Sequence, residues 1–375
     1  MRACGINGLN FNKLGLLVFS LLKRQRQRLL GVDISSTSVK LLELSQAGDK
    51  YRVESYAVAP LFPNTLAEGD IKDIQAVADA VKLVVARSGT SLRNAAVAVS
   101  GSSVITKVIQ LDANLDEFEM EAQVSLEASR YIPYPMEEVS LDFQIIGVSE
   151  KNQDKNDVLV AASRTENVDV RVDALKLGGL NARVVDVESY AMERACPLIS
   201  DQLPNGGREK TVAIIDIGSV LTTITVFHDL NTIYTREEVF GGKQLTEAIQ
   251  RRYGLTFEEA GLAKKQGALA DDYVPEVLDP FREALIPLIR RSLQFFFSAS
   301  RFNEVDHIVL AGGGAFIPNL NELVRDRLGT PCTIANPFLD MTVASSVDAA
   351  VLSADAPSLM ICCGLAMRSF IDARD

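Results

Sequence analysis

Three short segments join the end of a strand to a small, polar or glycine-rich loop. They are Gly31-Val32-Asp33-Ile34-Ser35-Ser36-Thr37-Ser38-Val39-Lys40, then Asp216-Ile217-Gly218-Ser219, then Ala311-Gly312-Gly313-Gly314-Ala315-Phe316-Ile317-Pro318. Small residues let backbone N–H groups approach a phosphate closely. Hydroxyls add donors, and a carboxylate holds magnesium directly or through water. Taken singly, each loop also reads as an ordinary turn. Taken together they predict a nucleotide site. Lys40 either reaches a phosphate or points outward, since successive strand residues alternate between faces.

Other chemistries are excluded. No G-x-x-x-x-G-K-[ST] occurs, so a P-loop is absent, and no G-x-G-x-x-G follows a strand. The two histidines, His228 and His307, lack any nucleophile elbow nearby. Cys4, Cys196, Cys332, Cys362 and Cys363 form no C-x-x-C, which argues against zinc and against a disulfide framework and for a reduced, cytoplasmic setting. Vicinal Cys362-Cys363 reads as buried small apolar residues. The formal charge of −11 on 375 residues speaks against a nucleic-acid binder. That charge is uneven. Residues 1–28 form a basic and apolar leader with six basic groups and no acid, leaving 32 basic against 49 acidic groups in the body. Its apolar run, Leu14–Leu22, is shorter than the about 20 residues a spanning helix needs, and no span is expected elsewhere. Two readings stay open for the leader: a frayed leader or misassigned start codon ahead of the folded part, or peripheral contact with an anionic membrane, which basic groups beside an apolar run favour.

The elements that position the loops occur twice. Leu30–Ile34, Val39–Ser45 and Tyr51–Ala59 read as strands, followed by a helix over 71–88 with apolar residues at i, i+3, i+4 spacing. Val212–Ile217, Thr222–Phe227 and Thr232–Phe240 repeat the order strand, Asp-containing loop, strand, turn, strand. Two related α/β halves follow. Residues 112–184 differ: helix, strand Val139–Ile145, polar loop Glu150–Asp157, strand Val158–Ala162, helix Glu166–Leu177 and strand Ala182–Val187 make an inserted α-β-β-α-β subdomain. The expected division is a first lobe core over 29–111, completed by 185–208 and 350–375, and the insert over 112–184. The second lobe core takes 209–240 and 302–349, with a helical subdomain over 241–301.

In this order the three loops resemble the phosphate-1, phosphate-2 and adenosine motifs of the actin/Hsp70/hexokinase superfamily, and the insert resembles that of FtsA-like members. Leu30–Leu44, Tyr131–Val139 (YIPYPMEEV), Val185–Arg194, Tyr234–Tyr253 (YTREEVFGGKQLTEAIQRRY) and Val309–Leu320 resemble the PilM family of type IV pilus assembly, over about residues 29–372. The resemblance implies a duplicated two-lobe actin-like fold closing on Mg-ATP. It places Asp33 and Asp216 around magnesium, largely through water, and Glu188 near an attacking water. Ser35, Ser36, Thr37, Ser38 and Lys40 face the phosphates from the first lobe, Gly218 and Ser219 from the second. Gly312, Gly313, Gly314 and Phe316 pack on the adenosine, and Glu259 and Lys264 reach toward the ribose. Asp33, as a loop carboxylate, is expected to be dispensable for folding.

Two departures favour binding over turnover: Ser35 stands where relatives carry glycine, and Ser219-Val220-Leu221 where active relatives carry glycines and threonine. The β-branched Val220 restricts the loop backbone. The partners implied are the cytoplasmic N-terminal segment of PilN, docking between first lobe and insert near Val139–Ile146. PilC, PilB and PilT follow, and PilO and PilP indirectly, on the inner-membrane face. The competing readings are an FtsA-like filament former, although its C-terminal membrane helix is not seen before Asp375, and a small-molecule kinase.

Overall fold

The computed structural model describes residues 28–67, 69–150, 152–267 and 269–371, so the expected leader lies almost wholly outside the described residues. The first half runs β1 (Leu30–Ile34), β2 (Ser38–Ala47) and β3 (Lys50–Pro60), a small hairpin β4 (Leu66–Ala67) and β5 (Asp70–Ile71), α1 (Ile74–Ser88) and β6 (Asn94–Val99). Then come β7 (Val104–Asp112), α2 (Glu117–Ala128), β8 (Val139–Ser149), β9 (Asn152–Arg164), α3 (Thr165–Leu177), β10 (Asn181–Val187) and α4 (Glu188–Ala195). The second half holds β11 (Thr211–Ile217), β12 (Thr222–His228), β13 (Asn231–Glu238), α5 (Gly242–Tyr253), α6 (Phe257–Gln266) and α7 (Asp279–Ala299). It continues with β14 (His307–Ala311), α8 (Leu320–Leu328), β15 (Cys332–Ile334), β16 (Thr342–Val343), α9 (Ala349–Asp355) and α10 (Met360–Ala366).

The duplication is visible in the sheets. One has the order β10-β6-β1-β2-β3-β16, the other β15-β14-β11-β12-β13. In each, a three-stranded antiparallel meander is extended by parallel strands on the side of its first strand. Apolar strand faces must be covered, and each sheet is covered twice. On the outer face of the first, Val77, Val81 and Val84 of α1 pack with Leu30, Val32 and Leu41. On the outer face of the second, Leu285, Ile289 and Leu293 of α7 pack with Ile215, Ile224 and Leu310. The inner faces share one core: Leu42 and Val53 from one sheet, Ile214 and Val309 from the other, with Met192 of α4 and Cys362 and Cys363 of α10 between them.

The insert has its own sheet, ordered β7-β9-β8. Three expected boundaries are corrected by the strand pairing. β7, assigned to the first lobe, pairs along its length with β9 and belongs to the insert. β10 pairs with β6 throughout, so residues 181–184 belong to the first lobe rather than the insert. β16 joins β3, so residues 342–343 leave the second lobe. Glu150–Asp157 is not a loop either, because β9 starts at Asn152. The start of β9 carries polar residues on both faces because Asn152, Gln153 and Asp154 are all exposed there. By length and composition Ala349–Phe370 is apolar enough to cross a membrane, against the expectation that no such stretch exists. Its Leu352, Leu359, Met360, Cys362 and Cys363 are core residues.

Candidate functional site

β1 ends on Asp33-Ile34 and turns at Ser36-Thr37 into β2. The Ser35 N–H and hydroxyl both donate to the Ser38 carbonyl at 3.0 Å, and the two hydroxyl oxygens lie 3.2 Å apart. The hydroxyl is therefore part of what closes the turn, an account of serine at this position. Leu61 N–H holds the Thr37 carbonyl at 2.8 Å. Antiparallel register sets Asp33 directly opposite Lys40. Residues so paired share a face, and Lys40 Nζ donates to Asp33 Oδ2 at 2.8 Å. The two readings of Lys40 resolve to the inward one. Burial acts to lower the Lys40 pKa, but the Asp33 carboxylate, with Asp216 further away, holds it above the usual lysine value.

The second loop is built by the same strand logic. Asp216 lies between Thr223 of β12 and Ala311 of β14. Gly218 N–H closes on the Leu221 carbonyl at 2.9 Å. The Gly218 and Ser219 carbonyls then accept from Gly242 and Lys243 N–H at 3.0 and 2.8 Å, so the loop caps the first turn of α5. That explains the Phe240-Gly241-Gly242-Lys243 run: a Cβ at Gly241 would come within 2.5 Å of the Gly218 carbonyl oxygen. The third loop lies directly against the second. Gly312 has φ +79°, and a Cβ there would strike the Asp216 carboxylate and sit 2.6 Å from the Ile217 carbonyl oxygen. A Cβ at Gly314 would strike the Ile217 side chain, whereas Gly313 faces open space. Phe316 is exposed beside them.

Glu188 opens α4, just past the end of β10. Burial, then the nearby Asp33, lift its pKa to about 8, with Asp216 and Glu237 adding and Arg171 opposing. Burial lifts Asp216 to about 6, Lys40 opposing and Asp33 adding. Asp33, Lys40, Asp216 and Glu188 are thus one electrostatic cluster at the junction of the two lobes, richer in carboxylates than in cations. A folded state that raises carboxyl pKa values binds more protons than the unfolded chain, so stability falls as pH rises. The window runs from about pH 4 to 6 for Asp216 and about 4.5 to 8 for Glu188. Thermal and urea melts of the ligand-free protein should lose on the order of a few kcal/mol across it. Glu188→Gln should flatten the part above pH 6, and an unchanged slope there would remove Glu188 from the cluster.

Two residues fall less simply into place. Glu259 N–H bonds the Thr256 hydroxyl while Glu259 Oε2 accepts from Thr256 N–H at 2.8 Å, a capping box starting α6. Lys264 Nζ donates to the Gly242 carbonyl at 3.0 Å and to Thr246 Oγ1 at 2.7 Å, bracing the start of α5. Burial, with Lys265 nearby, lowers its pKa to about 8. Two charged neighbours of the cluster escape a reading by motif. Glu237 of β13 approaches Gly101 of the first lobe, where a Cβ would lie 3.4 Å from its Oε1. Arg171 of α3 is only 2 % exposed. Its one signal in the sequence is a charge three and four residues before Ala174 and Leu175, on the helix stripe that should be apolar.

Comparison with known proteins follows the same outline. The family model for type IV pilus assembly protein PilM matches residues 31–370. The solved PilM–PilN type IV pilus biogenesis complex superposes with a TM-score of 0.77 at 28 % identity, covering 92 % of this chain and 100 % of that one. The ethanolamine utilization protein EutJ of Carboxydothermus hydrogenoformans superposes at 0.56 with 16 % identity, covering 90 % and 88 %. The cell division protein FtsA of Bacillus subtilis (strain 168) is 22 % identical over 352 residues, 82 % of this chain and 78 % of FtsA.

Proposed function

The chain belongs to the PilM family of type IV pilus assembly proteins, and on that premise we propose that it is a nucleotide-binding adaptor whose two lobes take Mg-ATP between them and which docks the cytoplasmic N-terminal segment of PilN. The observation that carries the nucleotide reading is the meeting of Asp33, Lys40 and Asp216 beneath Gly312, where no Cβ fits. The residues suit the ligand. Ser36, Thr37, Ser38 and Lys40 offer hydroxyls and one cation to phosphates, with Gly218 and Ser219 opposite them. Asp33 and Asp216 suit a hydrated magnesium ion, which supplies charge neutralisation to the phosphates. Among the described residues no group of three or more His, Cys, Asp or Glu is arranged to hold a metal by side chains alone. Gly312–Gly314 and the exposed Phe316 ring suit the adenosine. Lys264 and Glu259, although engaged in bracing α5 and α6, flank the ribose side in this reading. Glu188, at the start of α4 beside this cluster, suits a place near an attacking water, while the Ser219-Val220-Leu221 stretch of the second loop, restricted by its β-branched residue, favours binding over turnover.

The docking reading rests on a cavity of about 240 Å³ between insert and first lobe. Ile105, Ile132, Tyr134 and Val139 line it, with Asp70 and Arg164 at its polar edge. Ile132 and Tyr134 come from the Ile132-Pro133-Tyr134-Pro135 run. The cavity reaches only the start of β8; Ile145 and Ile146, expected beside it, stand exposed toward the far end of that strand. A mixed lining, in which Ser102, Ser103, Ser163 and Asn167 stand beside these apolar residues and the acidic and basic groups, suits a short peptide of mixed character. Docked there, the protein would sit under the inner membrane on its cytoplasmic face, below PilO and PilP and within reach of PilC, PilB and PilT. Calorimetric titration with a peptide of the PilN N-terminus is expected to show saturable binding, weakened about tenfold or more by Ile105→Glu. Equal binding by this variant would move the docking site elsewhere.

A further inference from the structure

The parallel strands β1, β6 and β10 all start at one end of the first sheet, with Leu30 level with Ala95 and Asn94 level with Asn181. Asp33 and Glu188 lie toward the other end, from which β6 leads into the insert. The starting end gathers basic residues, and hydrogen bonds link them into one surface. Arg28 Nη2 donates to Glu43 Oε1 at 2.8 Å, and Thr90 Oγ1 donates to Glu43 Oε2 at 2.6 Å. Arg93 Nη1 donates to the Thr90 carbonyl at 3.0 Å. The Arg93 carbonyl accepts from Asn181 N–H at 2.7 Å, and Arg183 Nε donates to Asn94 Oδ1 at 3.2 Å. Lys176 lies in the last turn of α3, just before β10 begins. On the far side, Phe370 follows the Ser369 that holds Leu29, and its ring meets that of Tyr51 at 5.2 Å, which brings in Lys50 at the start of β3.

The charges at this end do not cancel. Glu43 is buried, and Arg28, Thr90 and Ser55 take up its carboxylate. Glu54 accepts from Ser45 and lies 3.9 Å from Arg52. Asp49 and Asp173 are the exposed acids. Lys50, Arg93, Lys176 and Arg183 are exposed too, and among the described residues no carboxylate comes within ion-pair distance of any of them. In a body with 32 basic and 49 acidic groups, this is a local field of opposite sign. The sequence that enters at Arg28 continues it with Lys23, Arg24 and Arg26, behind the apolar Leu14–Leu22. Leu177, 50 % exposed, and Ile371, 38 % exposed, stand among the cations, and such aliphatic side chains suit the interfacial zone of a bilayer. The rings at this end, Tyr51 and Phe370, pack on each other rather than offering platforms on which nucleic-acid bases stack.

We propose that this end of the first lobe is a docking face for an anionic lipid surface, with Lys50, Arg93, Lys176 and Arg183 on the headgroups and Leu177 and Ile371 at the acyl boundary. The cleft and the start of the insert lie at the opposite ends of the same strands, so a bilayer on this face leaves both uncovered. The proposal rests on neither the nucleotide reading nor the PilN reading.

The test is flotation of the full chain with vesicles of phosphatidylglycerol and phosphatidylethanolamine, against vesicles of phosphatidylcholine alone. Binding is expected to the anionic vesicles only, and it should weaken as salt is added. Each basic group near such a surface contributes about fivefold in partition. Arg93→Glu, Lys176→Glu and Arg183→Glu combined, with residues 1–27 untouched, should therefore weaken binding about a hundredfold or more. A urea melt matching that of the parent shows that the variant is folded. Undiminished binding by the folded variant assigns the contact to residues 1–27 and overturns the face. Failure of the parent to bind, equal binding to both kinds of vesicle, or displacement from anionic vesicles by single-stranded RNA overturns it as well. Hydrogen exchange on the unaltered protein decides the case of a variant that does not fold. Anionic vesicles should slow exchange over residues 91–94 and 176–183, and an unchanged pattern there overturns the proposal.

Discussion

Asp33→Ala should weaken Mg-ATP binding by about a hundredfold or more and destabilise the protein by about 3–5 kcal/mol. The second effect departs from the expectation that a loop carboxylate is dispensable for folding. Asp33 is the fourth residue of β1, 4 % exposed, with the Lys40 ammonium at 2.8 Å. Removing it strands a largely buried cation, the costlier half of breaking a buried pair. The two effects separate in Asp33→Asn, which keeps the volume and one acceptor oxygen for Lys40. This variant should recover part of the stability in urea melts while still losing nucleotide in calorimetry. Full affinity in the asparagine variant would take Asp33 out of the magnesium site.

Gly364→Ala should cost about 3 kcal/mol, near the top of the range for overpacking. Gly364 lies in α10 where it crosses α4, and an added Cβ would land on the Ala191 carbonyl. Both helices lie in the core shared by the two sheets. Relief requires them to part, and α4 carries Glu188 at its first position. The same methyl group should therefore lower nucleotide affinity from a distance. Denaturation midpoints within roughly 0.5 kcal/mol of the parent would show that the crossing yields easily.

The duplicated halves and all three loops were legible in the sequence because each is local: an apolar run, a carboxylate, then small residues. Partnership between strands was not. Val104–Asp112 has the same alternating character whether it continues the first sheet or starts another, and only its register with β9 decides. β15, β16 and α9 are short, and their stability comes from packing rather than propensity, so no period announces them. Within the site, the inward turn of Lys40 needed the antiparallel register that sets it opposite Asp33. The capping role of Glu259 was legible from Thr256-x-x-Glu259 but hidden behind the analogy to a ribose contact. Arg171 was the least legible, since the three carbonyls that hold it come from residues 69, 98 and 167.

The first lobe is closed by residues from the other end of the chain. Gly31 lies so near α10 that a Cβ would strike the Cys362 carbonyl and sit 2.6 Å from Ala366 N. Ser369 Oγ bonds both the N–H and the carbonyl of Leu29, at 2.8 and 3.0 Å. The second-lobe sheet, by contrast, comes from one uninterrupted stretch, Thr211 to Ile334. On the ribosome the order of birth and the order of completion are therefore reversed. At about 5–20 residues per second, β1 waits tens of seconds for its covering helix. The lobe that leaves the exit tunnel first is the last to be finished, and the apolar inner face of its sheet is the surface that a nascent-chain chaperone would meet.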